Sequence, residues 1–123
     1  MLSNWAMVGL GGAVGALLRF YISETMPAES FPWGTLTVNL VGAVLLGGLT
    51  AAVAAQTLSS SHALFLGVGV LGAFTTMSTF SVEAAMLFDE GRWSALVTYV
   101  AVTGVVGPLL ALLSWKGTQQ WLA

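Results

Sequence analysis

From Thr75 to Ser81 the chain reads TTMSTFS, and five of those seven residues carry hydroxyls. Other uncharged hydrogen-bonding groups recur at helical spacing: Thr35, Asn39 and Gly42 at i, i+4, i+7, and Tyr99, Thr103 and Gly107 at steps of four. Thr76, Phe80 and Glu83 form a third stripe within the hydroxyl-rich region. A lone Ser or Thr in a helix ordinarily bonds back to the carbonyl one turn earlier, and a lone Asn between helices adds only about 1 kcal/mol. Three such stripes, with Glu83 their one carboxylate, can do more together. Amide and hydroxyl donors and the electropositive edge of an aromatic ring replace the hydration shell of a small anion piecemeal, whereas carbonyls freed from a helix suit a cation. Covalent and metal-assisted catalysis find little material: there is no cysteine, and His62, the single histidine, stands in a polar loop without an evident companion ligand or nucleophile.

The elements that must carry these stripes follow from composition. Of 123 residues, 57% are hydrophobic and 7% charged, against roughly 25% charged in soluble domains. The chain reads as one all-α membrane domain over residues 1–123. Four stretches reach the roughly 20 residues a bilayer-crossing helix needs: about 5–22, 33–55, 63–88 and 93–115. The polar segments SETMPAESFP, QTLSSSH and DEGR separate them. Trp5, Trp33, Trp93 and Trp115 fall at span ends, where an amphipathic ring prefers the headgroup level. Residues 1–22 lack a basic leading region and carry Arg19 at their far end, so a cleaved signal peptide is not expected.

The hydroxyl run sits at the midpoint of the third span, immediately after Gly72. Glycine, β-branched threonine and backbone-competing serine all weaken a helix, so the span is expected to break there. Broken backbone survives at membrane depth only when it is buried in protein or lines a polar cavity. Small-residue steps at Gly11/Gly15, Gly47/Ala51, Gly48/Ala52 and Gly107/Ala111 let helices approach closely, chiefly within one subunit, and their number favours an oligomer. Arg19 and Arg92 lie on one side of the membrane, Lys116 and the amino terminus on the other, so the positive-inside signal almost cancels. Two readings stay open on charge alone, an orientation that charge does not specify or dual insertion with antiparallel pairing, and the second is favoured.

No carboxylate lies at mid-depth; Glu83 is about five residues from the end of its span. A proton-coupled exporter of cationic drugs, the small multidrug-resistance type, is the alternative of equal size, and it would carry a carboxylate well inside a helix. The segments GGAVGALLRF, GTLTVNLVG and GVLGAFTTMSTFSVE, spread over the chain, resemble the Fluc (CrcB) family of fluoride channels. The resemblance implies an antiparallel, dual-topology homodimer in the lipid bilayer of a prokaryotic plasma membrane. It also implies two fluoride pores and a structural sodium ion on the two-fold axis, with no role for nucleic acid. By the same resemblance the backbone carbonyls of Gly72 and Thr75 hold the sodium. Asn39 and Phe80 line the fluoride pore, Thr76, Ser78, Thr79 and Ser81 face the pores or pack the break, and Tyr99, Thr103 and Gly107 continue a polar track. Arg19 and Glu83 match residues near the pore entrances. Two positions depart from the family pattern: Met77, at a position of the family's fluoride pore, stands where a phenylalanine is usual, and Gly107 where a hydroxyl is usual.

Overall fold

A computed structural model describes residues 2–123, and over these the chain is entirely helical apart from short connections. Helix α1 spans Asn4–Thr25 and α2 spans Trp33–Ala54, each of 22 residues, or roughly 33 Å at 1.5 Å per residue, enough for the hydrocarbon layer. The third membrane segment, Ser60–Asp89, is two helices: α3 over residues 60–74 and α4 over Met77–Asp89. Helix α5 covers Trp93–Leu122 and so continues past Trp115, the end suggested by hydropathy. Backbone bonding propagates through LysGlyThrGlnGln regardless of polarity, because water can solvate those side chains beyond the apolar layer. Lys116 Nζ lies 4.7 Å from the Trp115 ring centroid at this level.

Local chemistry sets the ends. Ser3 Oγ accepts from the Ala6 amide at 3.2 Å at the start of α1, and Ser59 Oγ accepts from the His62 amide at the start of α3, both as N-caps. Thr76 plays that part for α4. Within α3 and α5, residues Leu64–Leu71 and Val102–Val106 wind more widely, with i→i+5 bonding. Such widened turns leave the backbone out of step with the flanking α-helix and recur where function demands it.

Packing assembles two cores. Leu36, Leu87 and Tyr99 form one, bordered by Phe31 and Phe80; Val38, Leu71 and Phe74 form the other, bordered by Ile22 and Leu49. Helix α1 lies against α3 at its glycine step: a methyl on Gly11 would strike the Phe65 carbonyl and one on Gly15 the Val70 carbonyl. Helices α2 and α5 run side by side, tied by Ser114 Oγ donating to the Val44 carbonyl at 2.6 Å. Large apolar side chains elsewhere face outward, as a lipid-solvated protein permits.

Candidate functional site

The break consists of Thr75 and Thr76, both extended, with φ/ψ of −87/159° and −151/120°. Two neighbouring side chains and one of its own hold it. Asn39 of α2 grips the backbone of Thr76 at two points: Oδ1 accepts the Thr76 amide at 2.8 Å, and Nδ2 donates to the Thr76 carbonyl at 3.0 Å. Arg19 of α1 donates from Nε to the Ala73 carbonyl at 3.0 Å, at the end of α3. Thr75 donates from Oγ1 to the Leu71 carbonyl at 3.0 Å, and its methyl presses on Gly42, where any Cβ would collide with it.

Following each amide of the break accounts for the carbonyls. In a continuous helix the Thr76 amide would bond to Gly72 and the Thr79 amide to Thr75. Here the first goes to Asn39 and the second to Thr76 Oγ1 at 3.2 Å. The Gly72 and Thr75 carbonyls therefore lose their helical donors, and no replacement occurs among the described residues. Gly72 is exposed and Thr75 half-buried, and carbonyls left open midway along a membrane segment need a partner that lipid does not supply.

The hydroxyls divide. Thr76 Oγ1 lies 3.1 Å from Thr79 Oγ1 and 3.3 Å from Ser78 Oγ, making a cluster at the start of α4. Ser81 bonds back to the Met77 carbonyl at 2.8 Å, and Met77 itself is 71% exposed, its side chain outside both cores. Farther along, Tyr99 is fully buried and donates to Glu83 Oε1 at 3.1 Å. The rings of Phe80 and Phe31 meet it edge-on, at centroid distances of 4.9 and 5.5 Å. Phe80, Glu83 and Tyr99 are thus one unit.

Asn39, Thr103 and Gly107 line a cavity of about 620 Å³ between α2 and α5, together with Thr50 and apolar residues. Its walls carry no charged side chain. Thr103 Oγ1 is buried without a hydrogen-bond partner, an expense that a polar guest would relieve. Gly107 offers it no side-chain donor. A second cavity, of about 370 Å³, holds Glu29, Glu83, Glu90 and Arg92 at the end of the bundle where α4 meets α5. Arg92 there donates from Nη2 to the Ser30 carbonyl and pairs loosely with Glu90 at 3.6 Å.

Asn39 meets the hydroxyl cluster through Thr76, while Thr103 shares its cavity. Arg19 lies against the break itself, and Met77 and Ser81 stand apart from these contacts. Sequence reasoning missed Phe31 as a ring partner of Tyr99 and Thr50 as part of the cavity wall. Neither carries a local signal: Thr50 is brought in by the register of α2 against α5, and Phe31 by the path of the connection leading into α2. Among the described residues no group of three or more His, Cys, Asp or Glu could hold a metal ion.

Four membrane-length segments, the third of them broken at mid-length, define a small multi-pass membrane protein built around an interrupted helix. The family model described as CrcB-like protein, Camphor Resistance (CrcB), matches residues 6–115. A protein of Novosphingobium aromaticivorans named fluoride-specific ion channel FluC is 42% identical over 120 residues, covering 91% of this chain and 95% of its own. FluC 1 of Halalkalibacterium halodurans, similarly named, is 39% identical across 96% of this chain and 99% of its own. FluC 2 of Haloarcula marismortui is 44% identical across 89% and 88%. The chain belongs to the CrcB family. These relatives carry the names of channels, not enzymes.

Proposed function

We propose that the protein is a passive, fluoride-selective channel that lets cytoplasmic fluoride leave the cell. The single observation that carries this reading is the uncharged cavity with the unpartnered Thr103 hydroxyl and Asn39 in its wall; the names of the relatives agree with it. Asn39 has a second amide hydrogen beyond the one given to Thr76, and Ser78, Thr79 and Thr103 add hydroxyls. Fluoride meeting these groups, and the edge of Phe80, would exchange water for donors in steps, each weak enough to release it. Phe80 is braced by Tyr99, and Tyr99 by Glu83.

Two antiparallel copies would form the working unit, with two pores. The freed carbonyls of Gly72 and Thr75 fit a sodium ion, a hard cation that takes oxygen ligands. When bound, sodium would supply a fixed positive charge that satisfies those dipoles. This chain's residues do the remainder: Asn39 and Arg19 hold the backbone, and Gly42 admits the Thr75 methyl.

A small multidrug-type transporter would need a carboxylate free to exchange protons with a cationic substrate. Glu83 is hydrogen-bonded to Tyr99 instead. The deciding experiment is fluoride efflux from liposomes containing the purified protein. Rapid, ionophore-dependent efflux that ignores chloride and any proton gradient is expected. A rate equal to that of empty vesicles, or dye uptake abolished by Glu83→Gln, would overturn the proposal.

A further inference from the structure

Asn39 is a candidate fluoride ligand, yet half of its hydrogen-bonding capacity, one donor and one acceptor site, is already spent on one residue of the break. Its oxygen takes the Thr76 amide at 2.8 Å and its nitrogen holds the Thr76 carbonyl at 3.0 Å, across 37 residues of sequence. The captured amide is the one that a continuous helix would return to Gly72. With both faces of Thr76 held, neither adjoining peptide can rotate to restore that bond.

We propose that Asn39 is a positioning residue for the cation site, keeping the Gly72 carbonyl unpaired by intercepting its helical donor. The inference rests on the sodium reading above and adds to it how the ligand oxygens are released. Thr76 repeats the device one step later, its hydroxyl intercepting the Thr79 amide and so freeing Thr75. Arg19 works in the opposite sense. Its Nε occupies the Ala73 carbonyl, leaving that oxygen less available to a cation than those of Gly72 and Thr75. Side chains of α1, α2 and the break itself thereby select which of its oxygens remain open.

Conduction alone cannot separate this role from direct contact with fluoride, because both predict loss on substitution. Sodium binding can. Thermal unfolding of the purified full-length protein in detergent is followed while sodium chloride replaces N-methylglucamine chloride at constant ionic strength. Wild type should unfold at rising temperature as sodium is added, since a ligand of the folded state stabilises it by mass action. Asn39→Ala returns the Thr76 amide to Gly72 and should raise the half-saturating sodium concentration about tenfold or more, the scale of one unmade hydrogen bond. Asn39→Asp keeps an oxygen for that amide and should bind sodium at least as tightly as wild type, although its charge slows fluoride. Thr76→Val, of similar shape, should weaken sodium binding as Asn39→Ala does, and it decides the matter if the alanine variant does not fold. Unchanged half-saturation in Asn39→Ala or Thr76→Val overturns the proposal, as does Asn39→Asp binding as weakly as alanine. A wild type indifferent to sodium overturns both the sodium reading and this inference, while the separate efflux assay still judges the channel itself.

Discussion

Two hydroxyls one helical turn apart on α5 have opposite circumstances. Tyr99 is fully buried and its hydroxyl is bonded to Glu83, whereas the Thr103 hydroxyl is buried and bonded to nothing among the described residues. Stability and transport should therefore separate. Thr103→Val keeps the shape and removes an unsatisfied oxygen, so its unfolding temperature should stay level or rise while fluoride efflux slows. Tyr99→Phe loses a made bond and should be destabilised by about 1 kcal/mol. The two measurements are thermal unfolding in detergent and liposome efflux. A marked stability loss in Thr103→Val would mean that its hydroxyl has a structural partner and no vacancy to offer an anion. Both residues were legible as a stripe, because a step of four on a helix is visible in the sequence. Their different states were not. Hydrogen bonding between α4 and α5 depends on how two helices face each other, and single-chain spacing carries no such register. The same limit hid the Asn39–Thr76 grip, although both residues were singled out.

Element breaks are written locally, and so this part of the fold was open to reading. Gly72 and the run of hydroxyls after it disfavour helix on intrinsic grounds, and the third segment does part at Thr75 and Thr76. The widened turns at Leu64–Leu71 and Val102–Val106 were not legible in this way, since the glycines and β-branched residues there weaken a helix without specifying a wider turn. They arise where α3 and α5 adjust to their neighbours. Glycine spacing was informative, but only contact distinguishes the glycines that matter. Gly15 lies directly over the Val70 carbonyl, while Gly12, three residues earlier, has nothing within 4 Å of a built Cβ. Gly15→Ala should force α1 from α3 and cost about 1–3 kcal/mol, lowering the unfolding temperature in detergent. Gly12→Ala should leave it nearly unchanged. Equal losses from the two would show that α1 packs through a second face, against another copy.

At the scale of the molecule, charge distribution bears on assembly. All five carboxylates, Glu24, Glu29, Glu83, Asp89 and Glu90, belong to the end that carries the α1–α2 and α4–α5 connections, with Arg19 and Arg92. Lys116 stands alone toward the opposite end. Copies inserted in parallel would gather both acidic ends on one membrane face, where repulsion acts within a screening length of about 8–10 Å. Antiparallel copies place them on opposite faces. Insertion itself gives no preference, because the few cations are divided between the two sides. The exposed break adds a reason for close pairing: Met77, Ser78 and the open carbonyls beside them sit midway along the third segment and need cover from lipid. The chain has no cysteine, so a single Ser30→Cys change on the acidic side gives an unambiguous probe of orientation. In intact cells a membrane-impermeant maleimide should label about half of the protein, since nothing in the charge pattern favours either direction. Permeabilisation should bring labelling to completion. Labelling of all or of none before permeabilisation would establish one orientation, and the antiparallel pair would have to be abandoned.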